Sequence, residues 1–211
     1  MELTDIAPYF QTTEISTAAR EKVFSLLGSL RAYHQPTFDH SIRVGILAHK
    51  LGGMQNHDPK TGIYGALHDI GKLNIHLDVL NKTEGFNEED RQRMKSHVSE
   101  GYKILSSLEL PFSAWIALTH HRYQPRFYPE NYELSKYPFP IPNATPSTKL
   151  LADTWASLVS TGDSYDAATN RKNDRFHGVQ LVGQELKNWL ITQNPASEYI
   201  IRKAYDTGIL S

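Results

Sequence analysis

From Ser16 onward the apolar residues of the chain recur at the three-and-four spacing of an amphipathic helix, and no stretch sustains the apolar/polar alternation of a half-buried strand. An all-α fold follows as the expectation, because a pattern with 3.6-residue period cannot present one apolar face at the two-residue period of a strand. A first helix is predicted from Ser16 or Thr17, a suitable N-cap, to about Tyr33, with Val23, Leu26, Leu27 and Leu30 on its inner stripe. The next spans about Phe38 to Leu51 and stops at Gly52-Gly53. A third runs from Pro59, tolerated in a first turn, to Ile70. A long helix is predicted from Asn87 to Leu108, its Glu88, Glu89 and Asp90 facing the positive end of the helix dipole, and Pro111 opens another that reaches His121. Further helices are predicted over Ser147–Asn170, over Phe176–Thr192 and from Pro195 on.

Residues Tyr123 to Pro146 break the pattern. Pro125, Pro129, Pro138, Pro140, Pro142 and Pro146 exclude a helix there, and the Tyr and Phe between them are too apolar for a disordered linker. An ordered loop is predicted, a candidate lid. At 211 residues the chain fits a single domain with its core over 38–176, the N-terminal helix at 16–33 and C-terminal helices over 176–211. Lys and Arg number 22 against 23 Asp and Glu, so no global basic field favours nucleic-acid binding. Neither a basic leader before an apolar run nor a membrane-length apolar stretch is found, so a cytoplasmic protein without membrane contact is expected. The absence of cysteine removes disulfides, thiolate metal sites and cysteine nucleophiles, and any metal must be held by His, Asp or Glu. Ten histidines make that worth pursuing.

His40 lies four residues before Val44, on the stripe with Leu51, and so points inward; His97 shares a face with Gly101, Ile104, Leu105 and Leu108. Two predicted helices each deliver one histidine to the core. His68-Asp69 and His120-His121 add adjacent donors near helix C-termini. Neighbours on a helix point about 100° apart, so such a pair suits two metals, or a metal and its partner, rather than one chelated ion. Asp69 could bridge two ions with its two oxygens, and Lys72 could place an ammonium beside a bound phosphate. A further ligand is expected from Ser147–Asn170, where two aspartates compete. Asp163 extends the apolar face of Trp155 and Val159, whereas Asp153 shares a side with Lys149, Ser157 and Ser160. The face favours Asp163, with Asp153 as the alternative, and Asp166 is placed to orient a ligand. His34, His49, His57, His76 and His177 are expected to be exposed, hydrogen-bonded or incidental.

These segments resemble the HD superfamily, and particularly its HD-GYP branch. HSIRVGILAHKLG (40–52), GALHDIGKLNIHLDVLNK (65–82), KSHVSEGYKIL (95–105), THH (119–121) and ASLVSTGDSYDAATNRKNDRF (156–176) are similar to its successive motifs, over roughly two-thirds of the chain. The resemblance implies an all-α HD-domain helical bundle with two divalent ions, iron or manganese first, and magnesium, nickel or cobalt as other candidates. It implies His40, His68, Asp69, His97, His120, His121 and a final aspartate as ligands, and Lys72, Lys172 and Arg175 as contacts to the substrate phosphate. In the place of the GYP element stands Phe127-Tyr128-Pro129, and Arg122 follows the histidine pair where a glutamate is usual. Pro36 stands where three-metal members carry a glutamate, so two metals are expected.

The implied activity is metal-dependent phosphohydrolysis of a nucleotide, a cyclic dinucleotide or another small phosphate ester. A metal-activated hydroxide attacks phosphorus, with Asp69 and Lys72 as the catalytic pair. The departures at the GYP element leave cyclic di-GMP one candidate substrate among several. Tyr123, Phe127, Tyr128 and Tyr132 are candidates to stack a base. Two other readings share the ligand set: a di-iron oxygenase of HD type, and a domain that binds a nucleotide as a sensor without cleaving it.

Overall fold

The computed structural model describes residues 1–2, 4, 6–8, 15–55, 59–170 and 181–211, and among them every regular element is helical. In chain order these are α1 (Thr17–Tyr33), α2 (Gln35–Gly53), α3 (Thr61–Leu67), a 3₁₀ segment (Ile70–Asn74), α4 (Leu77–Leu80), α5 (Glu88–Lys95), α6 (His97–Ser107) and α7 (Pro111–Thr119). A second 3₁₀ segment (His120–Tyr123), α8 (Asn131–Leu134), α9 (Pro146–Asn170), α10 (Gly183–Gln193) and α11 (Glu198–Asp206) follow, with a short 3₁₀ turn (Pro195–Ser197) between the last two. No helix among the described residues is long and apolar enough to cross a membrane.

Ser16 caps α1 as expected, its Oγ accepting from the Ala19 amide at 3.2 Å. The start of α2 lies earlier than predicted, because His34 acts as its N-cap with Nδ1 accepting from the Thr37 amide at 3.3 Å, and α2 also continues through Gly52-Gly53. Three further expectations are corrected. The helix predicted over Asn87–Leu108 is two helices parted at Ser96, whose Oγ donates to Arg93 O at 2.7 Å and offers the backbone an alternative to the helical ladder. The helix predicted to reach Ile70 ends at Leu67, so His68 and Asp69 sit in the turn before the first 3₁₀ segment. The Pro-rich stretch carries one helical turn, α8, in the proline-free interval between Pro129 and Pro138.

Three apolar clusters hold the bundle together. Val23, Leu27 and Leu30 of α1 pack with Phe38, Ile42, Leu67, Leu105 and Leu118. Val44, Ala48, Tyr64 and Ile116 meet Trp155 and Val159 of α9. Leu51 and Leu158 receive the C-terminal helices through Leu190, Ile200, Ile201 and Ala204. Each of the Val, Leu, Ile and Phe side chains among these contributes roughly 1.5–3 kcal/mol when fully buried.

Two glycine contacts set the distances that matter for the site. A Cβ on Gly45 would lie 2.9 Å from Gly62 O, and one on Gly65 would lie 2.9 Å from Val44 O, so α2 and α3 touch backbone to backbone. That approach carries His40 beside His68, with ring centroids 5.1 Å apart. Likewise Gly71 lies directly on the start of α6, where a Cβ would fall 1.9 Å from His97 O. The turn bearing Asp69 and the helix bearing His97 are thereby held against each other.

Candidate metal centre

The seven side chains predicted as ligands come together in one cluster, with His40, His68, Asp69, His97, His120 and Asp163 buried and His121 half-buried. Five elements supply them: α2, the turn after α3, the start of α6, the end of α7 with its 3₁₀ extension, and α9. Three overlapping sets, His40/His68/Asp69, His68/His120/Asp163 and His97/His120/His121, each bring three ligand atoms within 4.8 Å of one another.

The histidines are oriented from behind. Nδ1 of His68 donates to Gly65 O at 2.7 Å, that of His97 to Met94 O at 2.7 Å and that of His120 to Ala117 O at 2.9 Å. A carbonyl oxygen can only accept, so Nδ1 carries the proton in all three rings. His40 Nδ1 donates to Asp166 Oδ2 at 2.7 Å, and Asp166 in turn accepts from Arg43 at 2.6 and 2.9 Å. Burial pushes His68 down to about 3 and His97 down to about 4, and it lowers His120 and His121 as well. In the neutral rings of His68, His97 and His120, Nε2 therefore presents a lone pair. Nε2 of His40, His68, His97 and His120 is buried without a hydrogen-bond partner.

Two carboxylates stand among these nitrogens. Asp69 Oδ2 lies 3.5 Å from Nε2 of both His40 and His68, while its Oδ1 lies 3.3 Å from Nε2 of His97. Asp163 directs Oδ1 to His40 Nε2 at 3.1 Å, without hydrogen-bond alignment, and Oδ2 toward His121 Nδ1 at 3.9 Å. Burial, the largest single influence, would raise the Asp69 carboxyl, but the Lys72 ammonium, 2.6 Å from Oδ2, together with His68, His97 and His40 outweighs it and holds the group well below the usual carboxylate range. Asp163 is also held low, burial being opposed by His40.

Asp153 stands apart from the cluster. It is half-buried rather than solvent-facing, and accepts from Trp115 Nε1 at 2.9 Å. Tyr123 also turns toward Asp153 and packs in the second apolar cluster, and it does not line the cleft over the histidines, so the structure does not bring it to the site as a stacking surface. Of the other aromatics in the loop, Phe127 and Tyr132 are exposed, and Tyr128 stacks on His121 at 4.4 Å between centroids. Lys172 and Arg175 lie outside the described residues, as do His57 and His177. His34 and His76 cap α2 and α4, and His49 stands 3.3 Å from Pro59 O.

A cleft of about 930 Å³ opens over the cluster, with Asp69, His97, His121 and Asp163 on its floor. Lys72, Lys82, Arg91, Lys95 and Arg126 line it, so a phosphate ester would enter a cationic mouth. Trp189 and Gln193 of α10 complete its wall. Nothing in the sequence marked these two, since it is contacts distant in sequence, the third apolar cluster and Ser160 Oγ donating to Asn194 Oδ1 at 2.9 Å, that bring α10 there. Arg43 was also missed, although its place three residues after His40 on one helix could have suggested that both meet the same partner.

A model of the HD domain family matches residues 37–150. The match contains six of the clustered residues and ends before Asp163. A cyclic di-GMP phosphodiesterase of Thermotoga maritima is 31% identical over 160 residues, which are 72% of this chain and 39% of that protein. The cyclic di-GMP phosphodiesterase response regulator RpfG of Xanthomonas campestris pv. campestris is 36% identical over 90 residues, 41% of this chain and 24% of that protein. The chain thus spans well under half the length of either relative. Among solved structures, the HD domain of the L. monocytogenes phosphodiesterase PgpH with cyclic-di-AMP superposes with a TM-score of 0.55 at 20% identity, covering 87% of this chain and 84% of that one. A second crystal structure of that HD domain gives 0.53, also at 20% identity. At that identity the likeness speaks for the fold alone.

Proposed function

The chain belongs to the HD domain family, and on that premise we propose that it is a metal-dependent phosphohydrolase acting on a phosphodiester or phosphomonoester of a nucleotide-like substrate, cyclic dinucleotides included. One observation carries the reading. Four imidazole Nε2 atoms are buried without a hydrogen-bond partner beside two ionised carboxylates. Buried polar atoms left unpaired cost about 1–3 kcal/mol each, and divalent cations are the partners that this donor set fits.

We assign His40, His68, Asp69 and Asp163 as the residues that would hold one ion and Asp69, His97, His120 and His121 as those that would hold the other. The nitrogen-and-carboxylate set suits iron or manganese, with magnesium, nickel and cobalt as further candidates. Two divalent ions held there would supply Lewis acidity to a phosphoryl group and would lower the pKa of a water enough to make it nucleophilic near neutrality.

The chain's own residues do the rest. Carbonyls behind His68, His97 and His120, and Asp166 behind His40, fix each ring with its free nitrogen toward the ions. Lys72 lines the cleft at the cluster's edge and is placed to offset charge building on a phosphoryl oxygen. Lys172 and Arg175 remain proposed as further phosphate contacts. The cationic mouth draws the anion in.

The test is metal analysis of protein purified without added metal, followed by hydrolysis assays on bis(4-nitrophenyl) phosphate, 4-nitrophenyl phosphate and cyclic dinucleotides with each ion restored. Asp69→Ala is expected to lose metal and hydrolysis together. Hydrolysis that survives complete metal removal overturns the proposal. Turnover that requires oxygen, or tight nucleotide binding without turnover in any metal, does so as well.

A further inference from the structure

Arg122 directly follows the paired histidines, yet its guanidinium turns away from the cluster and into the loop beyond it. Nη1 donates to Pro129 O at 2.8 Å and Nη2 to Asn131 Oδ1 at 2.7 Å. Its Cζ also lies 5.9 Å from the centroid of the Phe127 ring. One planar side chain thus holds residues 127, 129 and 131 at once, which a single-point ammonium could not do.

Tyr128 lies among those three points. Its ring stacks on His121 with centroids 4.4 Å apart and planes at 28°, and it meets His97 edge-on at 6.2 Å. Lys95 Nζ stands 5.7 Å from the same ring. Tyr128 is half-buried and lines the cleft beside His97 and His121. With His121 against it and Lys95 close by, this ring works as a wall more readily than as an open platform for a base.

We propose that Arg122 is a positioning residue. It locks the 127–131 stretch so that Tyr128 stands as a fixed wall over His97 and His121, and this wall supplies contact to substrates of nucleotide size that smaller phosphodiesters do not need. The lock itself is independent of the hydrolase reading, whereas the selectivity rests on it.

Two arms keep these apart. In the first, hydrogen exchange over residues 123–131 is compared between wild type and Arg122→Ala. Loss of two charge-assisted bonds is expected to speed exchange by about tenfold or more, with metal content unchanged. Asn131→Ala, which removes one anchor, should give a smaller effect, and Arg122→Lys should rescue little. In the second arm, Arg122→Ala is expected to raise KM for a cyclic dinucleotide about tenfold, with a minor change in kcat and near-wild-type turnover of bis(4-nitrophenyl) phosphate. Wild-type protection of 123–131 in both Arg122→Ala and Asn131→Ala overturns the lock. Equal loss on the large and small substrates overturns the selectivity. Should wild type cleave neither substrate, the hydrolase reading and the selectivity fall together while the exchange arm still decides the lock.

Discussion

Gly71→Ala tests whether the closeness of the 3₁₀ segment to α6 is what builds the site. The added Cβ would fall 1.9 Å from His97 O, 2.4 Å from Gly101 N and 2.8 Å from His97 C, all backbone atoms with no rotamer to relieve the clash. Carbon and carbonyl oxygen meet at about 3.3 Å, so the turn carrying Asp69 and the helix carrying His97 must part by more than about 1 Å. Overpacking of this kind costs roughly 1–3 kcal/mol, and contact with rigid backbone places this case at or above the upper end. The functional consequence is sharper than the loss of stability. His97 Nε2 and Asp69 Oδ1 lie 3.3 Å apart across the seam, whereas metal-ligand distances tolerate only about 0.2 Å. The ion assigned to Asp69, His97, His120 and His121 should therefore be lost before the one assigned to His40 and His68. Denaturant unfolding of metal-free protein measures the first effect and metal stoichiometry the second. A Gly71→Ala protein with wild-type stability and both ions bound would refute the reasoning.

Asp166→Asn keeps the shape but weakens the grip on His40 Nδ1 and leaves Arg43 facing a neutral amide; it should cut metal affinity about 10–100-fold, read by competition with a chelator, and an unchanged affinity would make Asp166 merely structural. Asp163→Asn is expected to lower bound metal, whereas Asp153→Asn, which alters the Trp115 and Tyr123 contacts, should leave it intact; the reverse pattern sinks the choice between the two aspartates. For metal-free protein the sign of the pH effect is fixed by depressed histidine pKa values. His68 at about 3 and His97 at about 4 stay neutral in the fold where the unfolded chain, at 6.5, takes up protons. Stability should fall as pH drops below 6.5 toward those values, by at most about 1.4 kcal/mol per unit for each ring, and these groups should have no effect above it. Equal unfolding midpoints at pH 7.5 and 5.0 in the presence of chelator would contradict this.

How much could be read beforehand depended on whether a residue's neighbours lie on its own helix. His40 and His97 were legible because an apolar stripe at helical spacing says which way a side chain points, and the same stripe separated Asp163 from Asp153. Local chemistry likewise exposed the Ser16 cap and the acidic start of α5. What failed depended on partners distant in sequence or on backbone competition within one turn. Ser96 reads as an ordinary helical serine, whereas in the structure its amide is shared between Gln92 O and Arg93 O and its hydroxyl donates to Arg93 O, so that His97 opens a helix with Nδ1 on Met94 O. The ends of α3 and α7 fell short of the predicted ones for a related reason. At both the chain leaves the α-helix early, through a turn at His68-Asp69 that leads into the first 3₁₀ segment and through the 3₁₀ segment that begins at His120-His121, and adjacent residues of each pair reach the cluster.

Arg122 shows the same limit from the other side. From sequence it is a departure from a family pattern beside two candidate ligands, and a charge in that place invites a role inside the cluster. Its acceptors are seven and nine residues further on, within a loop whose prolines disclose where a helix cannot form but not where the chain goes. Prolines at 125, 129, 138, 140 and 142 restrict the backbone locally, while the path is set by contacts from outside the loop: Arg122 at its start, and Tyr102 OH donating to Pro138 O at 2.6 Å further along. Substituting the outside partner should therefore disturb the loop more than substituting a residue within it. Tyr102→Phe, which removes only that hydroxyl, is expected to loosen the 135–140 stretch in hydrogen exchange while leaving 123–131 under the hold of Arg122.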